Sequence, residues 1–126
     1  MKKQIIQTPL APAPIGPYSQ AIFCGDFLFV SGQIAIDPKT DALITDTIIA
    51  ETHQVMQNIK AILFAAGLDF PNIVKTSIFL SDMNYFAQVN EIYGSYFLSD
   101  YPARETVQVS RLPMGVNVEI SVTAHR

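Results

Sequence analysis

Nine residues near the end of the chain alternate without a break between apolar and polar side chains. The apolar set is Val116, Val118, Ile120, Val122 and Ala124, and the polar set is Asn117, Glu119, Ser121 and Thr123. Because successive side chains of a strand point to opposite faces of a sheet, this pattern predicts a strand with one face in a core and one outside it. The fold must therefore contain a sheet whose apolar face needs a cover.

Two segments with helical periodicity can supply that cover. Apolar residues recur at spacings of three and four over residues 48–66, and Gly67 follows where a glycine commonly ends a helix. The candidate N-caps of this helix are Thr45, Asp46 and Thr47. A second helix is predicted to begin after Ser81 and Asp82 and to present the apolar residues Phe86, Val89, Ile92, Tyr93 and Tyr96.

The rest of the chain contributes further strands. Residues 21–23 and 27–30 read as a hairpin around Gly25 and Asp26, a reversed form of the type I′ turn signal, and residues 73–80 and 104–110 read as strands. Four prolines within residues 8–17 predict an extended arm. The element order, two or three strands, a helix, a strand, a helix and two strands, predicts an α+β fold: one mixed β-sheet with two helices on its apolar face and a polar face opposite. We expect a single domain over residues 1–126.

Composition limits the partners of such a domain. Only 15% of the 126 residues are charged, which leaves little charge for the surface and favours self-association. A net charge of −3 provides no basic field to attract phosphates and argues against nucleic acid as a partner. The single cysteine, Cys24, excludes an internal disulfide and a cysteine-rich zinc site, and no other metal-ligand cluster or phosphate-binding loop is visible. With no apolar run long enough to span a membrane, we expect a cytoplasmic protein without cofactor or metal.

Two charged side chains are the best candidates for chemistry. Arg104 opens its predicted strand and can present a planar guanidinium to a carboxylate, while Glu119 lies in the middle of the last strand. If these strands pair through residues 112–115, both side chains reach the same polar face. The alternative is an ordinary cross-strand ion pair with no function, worth a few tenths of a kcal/mol.

Six short motifs, in this order and spacing, carry a resemblance to a known family. They are Gly16-Pro17-Tyr18-Ser19-Gln20, Ser31-Gly32-Gln33-Ile34, Asn58-Ile59-Lys60-Ala61, Ala66-Gly67, Pro102-Ala103-Arg104 and Arg111-Leu112-Pro113, with Val118-Glu119-Ile120 behind them. The chain resembles the reactive intermediate deaminase family (RidA or YjgF-like), also called the endoribonuclease L-PSP family. The match covers nearly the whole chain.

The resemblance implies a chorismate-mutase-like fold and a homotrimer with a barrel-like centre and sites between subunits. The implied activity is hydrolysis of enamines and imines, such as 2-aminoacrylate and 2-iminopropionate, to a keto acid and ammonia. Arg104, Glu119 and Tyr18 are the implied catalytic residues. The expected substrate contacts are Ser31, Gly32, Asn90 and Thr106, the last at a position where many members carry a cysteine.

Two other functions remain open at this point. The same cleft could bind keto acids or related carboxylates without turnover, and Glu119 discriminates, because a passive carboxylate receptor gains nothing from an acid beside its ligand. Ribonuclease or translation-inhibitor activity is attached to the family name. The acidic composition and the absence of a histidine pair suited to general acid and base work argue against it.

Overall fold

Six strands form one mixed sheet in this computed structural model, which describes residues 2–126. The strands are β1 (Lys3–Ile6), β2 (Ala21–Cys24), β3 (Phe27–Gln33), β4 (Ile73–Leu80), β5 (Ala103–Gln108) and β6 (Val118–His125), and the helices are α1 (Ile48–Ala65) and α2 (Phe86–Gly94). Their order across the sheet is β1-β2-β3-β6-β4-β5, with β4 and β5 parallel and every other pair antiparallel. The predicted fold class is confirmed.

The helices begin where their capping signals predict. The Thr47 hydroxyl accepts a hydrogen bond from the Ala50 amide at 3.0 Å, and α1 gives way to Gly67 at a φ of +75°, a conformation that favours glycine. Asp82 accepts from the Asn84 amide and starts a single helical turn at Met83–Tyr85, which leads directly into α2. Local sequence therefore decides both starts and the end of α1.

The core lies between the helices and one face of the sheet. Leu28, Leu80 and Ile120 on the sheet and Ile59 and Leu63 on α1 are fully buried. Each such side chain contributes roughly 1.5–3 kcal/mol relative to an exposed position. The alternating apolar residues of the last strand thus have the cover that their pattern requires.

Three local expectations need correction. Only Gly25 has a positive φ in the first hairpin, so its turn is not type I′, which needs positive φ at both central residues. Strand β1 was not predicted. It is a short edge strand of mixed polarity, and its pairing with β2 rather than its own pattern makes it a strand. The sheet face away from the helices is only partly polar, because Phe27 and Phe29 stand on it with 43% and 46% of their surface exposed.

The expected pairing of the last two strands is wrong. β4 lies between β5 and β6 in the sheet. The chain passes from β5 to β6 through a helical turn at Pro113–Gly115 rather than a tight hairpin. Strand β6 pairs with β3 on one side and β4 on the other, so no edge is left for β5. Strand β5 instead extends the sheet beyond β4 as a parallel edge strand.

Candidate active site

Glu119 lies on the face of the sheet away from the helices, opposite Phe79 of β4. The register between β3 and β6 shifts between Val30 and Gln33, which leaves Ser31 and Gly32 in an irregular stretch beside the carboxylate. A Cβ placed on Gly32 would lie 2.6 Å from Oε2 of Glu119, closer than any ordinary contact. Gly32 is therefore the residue that makes room for the Glu119 side chain.

The Glu119 carboxyl group is half-buried and has no partner within residues 2–126: no hydrogen bond or salt bridge involves it. Burial removes water from the charged form, so the pKa of Glu119 lies above its usual range. A carboxyl group with a raised pKa can both accept and return a proton closer to neutral pH. This is the property that a general acid and base requires.

A cleft of about 340 Å³ opens in front of Glu119. Its polar wall includes Tyr18 and Ser31, and its apolar wall includes Ile15, Ile34 and Ile36. The Tyr18 hydroxyl accepts a hydrogen bond from the Ile15 amide at 3.3 Å, and the Ser31 hydroxyl donates to the Ser19 carbonyl at 2.6 Å. The cleft has the size of a small metabolite and combines one acid with an aliphatic surface.

The proline arm forms one side of this cleft because Gln20 holds it in place. The Gln20 amide nitrogen donates to the carbonyls of Thr8, Ala11 and Pro12 at 3.0, 3.3 and 2.8 Å, and its amide oxygen accepts from the Thr8 amide at 2.7 Å. The side chain is buried, so these bonds are shielded from water. An arm without regular structure of its own is thus fixed by one side chain.

Arg104 lies on the other face of the sheet, at the edge of the helix layer. Its Nη1 donates to Oδ1 of Asn90 at 2.8 Å, and its guanidinium carbon lies 5.8 and 5.3 Å from the ring centres of Phe86 and Tyr93. Burial raises the pKa of Tyr93, while its hydrogen bond to Thr76 and the charge of Arg104 act the other way. The guanidinium is thus held in position while most of its N–H donors remain available for a carboxylate.

Thr106 follows Arg104 by two residues on the same face of β5. Its hydroxyl oxygen is buried and has no hydrogen-bond partner within the described chain. An unsatisfied buried hydroxyl costs about 1–3 kcal/mol, so a ligand that hydrogen-bonds to the Thr106 hydroxyl would remove this cost.

The predicted site residues therefore separate into two groups in one chain. Tyr18, Ser31, Gly32 and Glu119 form what we call the Glu119 half-site, and Asn90, Arg104 and Thr106 form the Arg104 half-site. In β4, Thr76 is the neighbour of Arg104 and is buried on the helix side, whereas Phe79 is the neighbour of Glu119 on the opposite face. The expectation that Arg104 and Glu119 share one face is wrong, because it rested on pairing β5 directly with β6.

No group of three or more potential metal ligands (His, Cys, Asp or Glu) occurs among residues 2–126. Neither helix of this part of the chain has the length and apolar character needed to cross a membrane.

The model of the endoribonuclease L-PSP family matches residues 8–126. The chain belongs to this family. A RutC family protein of Pyrococcus horikoshii is 52% identical over 124 residues, covering 98% of both chains. The human 2-iminobutanoate/2-iminopropanoate deaminase is 45% identical over 122 residues, covering 97% of this chain and 89% of its own. The structure of E. coli TdcF with bound serine matches with a TM-score of 0.93 and 41% identity over 98% of each chain.

Two buried, hydrogen-bonded side chains of this endoribonuclease L-PSP family member were missed in the sequence. Gln20 stands inside a recognised motif but gave no sign of bonding to residues 8–12. Glu51 lies in the first turn of α1 and is fully buried, where a carboxylate is not expected. Its place on the apolar side of the helix period was the available signal.

Proposed function

We propose that this protein is a cofactor-free hydrolytic deaminase that converts 2-imino acids, formed from enamines such as 2-aminoacrylate, to keto acids and ammonia. The observation that carries the proposal is Glu119, a carboxyl group with a raised pKa and with no partner among residues 2–126, in a cleft of metabolite size. The names of mammalian relatives at 45–46% identity support the same activity. The protein would act in the cytoplasm.

In the proposed reaction, Arg104 binds the substrate carboxylate through two charge-assisted hydrogen bonds. Its contacts with Asn90, Phe86 and Tyr93 support this role, because the guanidinium is oriented before the ligand arrives. The bound positive charge also draws electron density from the neighbouring C=N carbon. Thr106, whose hydroxyl has no hydrogen-bond partner in the described part of the chain, is a further contact on this side of the substrate.

Glu119 moves the protons. The carboxylate takes a proton from water as the water oxygen bonds to the imine carbon, and the imine nitrogen is protonated to give a carbinolamine. The C–N bond then breaks as a second proton reaches the nitrogen and the hydroxyl proton is lost, so C=N and water become C=O and ammonia. Tyr18 closes the cleft, and Ser31 and Gly32 contribute hydroxyl or backbone hydrogen bonds. The aliphatic wall of Ile15, Ile34 and Ile36 suits a small alkyl side chain.

The proposal includes a homotrimer with a barrel-like centre in which each cleft joins the Glu119 half-site of one subunit to the Arg104 half-site of its neighbour. The opposite-face placement of the two residues supports this assembly, because one sheet separates them within a chain. The exposed Phe27 and Phe29 also favour self-association.

Two substitutions test the chemistry. Arg104→Ala removes two charge-assisted hydrogen bonds of roughly 1.5 kcal/mol or more each, so keto-acid affinity and kcat/KM should both fall by about two decades. Glu119→Gln keeps the shape but not the acid, so turnover should fall while keto-acid affinity stays nearly unchanged. The assays are calorimetry with a stable keto acid and keto-acid release from 2-aminoacrylate made in situ by a serine dehydratase. Full activity of Glu119→Gln would refute the proposed proton transfer.

Mixing the two inactive variants tests the shared cleft. Random reassembly of equal amounts, after reversible dissociation, should give about a quarter of the clefts an intact Arg104 from one subunit and an intact Glu119 from its neighbour. Activity should therefore return to roughly a quarter of the parent value. No recovery, together with light scattering that shows a monomer at micromolar concentration, would overturn both the trimer and the composite site.

One alternative function has an observation in its favour. The related TdcF structure holds serine, which fits a protein that binds small amino-acid-derived ligands without turnover. In that case Arg104→Ala loses affinity as above, but the parent protein releases no keto acid beyond the uncatalysed rate. The same pair of assays therefore distinguishes the receptor from the enzyme.

A further inference from the structure

Glu51 is a fully buried carboxylate that the proposed reaction does not use. It extends from the first turn of α1 to the residues just before Glu119. Its Oε2 accepts from the backbone amides of Asn117 and Val118 at 2.7 and 3.1 Å, and its Oε1 accepts from the Asn117 side-chain amide at 2.9 Å. Three donors thus converge on one carboxylate at the start of β6.

The hydrogen bonds continue from Asn117 to the end of β4. The Ser81 amide donates to the Asn117 carbonyl at 3.0 Å, and the Ser81 hydroxyl donates to Oδ1 of Asn117 at 3.1 Å. The side-chain amide of Asn117 therefore has a fixed orientation, with its nitrogen toward Glu51 and its oxygen toward Ser81. This arrangement fixes the strand at the residue two before Glu119.

A carboxylate in this place needs a reason, because a buried charge is costly to desolvate and no cation pairs with it within residues 2–126. The positive end of the α1 dipole offsets part of the charge. An amide could not accept all three hydrogen bonds, since one of its two terminal atoms is a donor. The carboxylate therefore matches the donor pattern of residues 117–118.

We propose that Glu51 is a positioning residue for Glu119. By accepting hydrogen bonds from residues 117 and 118 it holds the start of β6, so that the Glu119 carboxyl group lies against Gly32. This rests on the proposed function only in giving Glu119 a catalytic role. Arg104 lies outside the effect, because Asn90, Phe86 and Tyr93 hold its guanidinium, whereas Glu51 bonds to residues 117 and 118.

A donor–acceptor exchange tests the proposal. Glu51→Gln brings the nitrogens of two amides together, and Asn117→Asp brings two carboxylates together, so each single variant breaks the Oε1 contact. The double variant restores it with reversed polarity, since the introduced glutamine amide can then donate to the introduced aspartate carboxylate. We expect each single variant to lower kcat about tenfold with keto-acid affinity within twofold, and the double variant to recover at least half of the parent kcat.

The second readout is the titration of Glu119 followed by carbon-13 NMR of its carboxyl group. In the single variants the loosened strand admits water, so the pKa of Glu119 should fall toward its usual range, and it should rise again in the double variant. Ile62→Val, a core change three turns further along α1, is the matched control and should leave kcat and the Glu119 titration as in the parent.

The outcomes separate this inference from the proposed function. An unchanged Glu119 titration in both single variants overturns the positioning role, whatever the activity. A shifted Glu119 titration in the Glu51→Gln and Asn117→Asp variants supports the positioning role of Glu51. If Glu119→Gln is at the same time fully active, the catalytic role of Glu119 is refuted and the positioning role stands. If a single variant does not fold, the double variant decides: parent-like kcat and titration support the proposal, and a tenfold loss in a folded double variant overturns it.

Discussion

Replacing Gly32 by alanine is the most direct test of where the Glu119 carboxyl group must lie. The new Cβ would meet Oε2, Cδ and Cγ of Glu119 at 2.6, 2.9 and 3.2 Å. To reach ordinary contact, the carboxylate must retreat by about 0.8 Å, which a flexible side chain can do by rotation. A misplacement of about 1 Å at a reacting group can lower a rate by about 10²-fold, so we expect kcat to fall by one to two decades.

The same substitution should leave the fold intact. Gly32 is not in the left-handed region, so alanine adopts its backbone conformation without strain. A glycine-to-alanine change of this kind stabilises a protein by about 0.4–1 kcal/mol through the unfolded chain, which offsets part of the steric conflict. Gly94→Ala, at the end of α2, is a glycine-to-alanine control without a steric conflict, because an added Cβ there meets nothing within 4 Å.

The assay compares keto-acid release, keto-acid affinity and Tm for the parent and both alanine variants. Affinity should stay within about threefold, because Arg104 lies on the other face of the sheet and is held by Asn90. Gly32→Ala with full kcat and a parent-like Tm would refute the reasoning, since a displaced Glu119 could then still do the chemistry. A collapse of Tm without residual fold would instead show that Gly32 serves the sheet.

Three further measurements follow from the structure. Because burial raises the pKa of Glu119, the folded protein binds the Glu119 proton more tightly than the unfolded chain does. This proton binding stabilises the fold fully below the pKa of the unfolded chain, and the stabilisation is lost as pH rises through the pKa of the folded protein. Glu119→Gln should therefore have a higher Tm than the parent at pH 8 and an equal one below about pH 4. Gln20→Ala removes the hydrogen-bond partner of four polar backbone groups of the arm, at a cost of roughly 1 kcal/mol each. Proteolysis within residues 8–17 should therefore accelerate, and unchanged cleavage would contradict the anchoring role of Gln20. Chelators should leave turnover unaltered, and a loss that zinc restores would refute the proposed mechanism.

Local patterns were sufficient to predict most elements of the fold. The period-two alternation of β6, the Thr47 cap and the glycine after α1 each act within a few residues, and each is confirmed. Strand β1 was missed because its identity comes from pairing with β2, about 20 residues away. The division of the β5 side chains between two faces was also predicted, since alternation is independent of neighbours, but Arg104 and Thr106 lie on the helix side rather than on the polar face.

Strand order was the part that the sequence could not supply. The short segment between Gln108 and Val118 suggested a hairpin, yet β6 finds β3 and β4 as partners and excludes β5. The observed registers pair Arg104 with Thr76 and Glu119 with Phe79, and these two neighbours in β4 point to opposite faces. Glu51 and Gln20 were missed for a related reason: their bonds reach residues 66 and 12 positions away, a distance over which single-sequence periodicity carries no signal.

The separation of Arg104 and Glu119 within a chain has a chemical consequence of its own. On one face they could form a salt bridge, which would lower the pKa of the carboxyl group and occupy the guanidinium. On opposite faces, Glu119 keeps a raised pKa and Arg104 keeps free donors. In the proposed trimer the neighbour's Arg104 faces the same cleft, and the substrate carboxylate would lie between the two groups and neutralise the guanidinium. The acid would then keep its raised pKa in the occupied cleft, which is the state in which the reaction needs it.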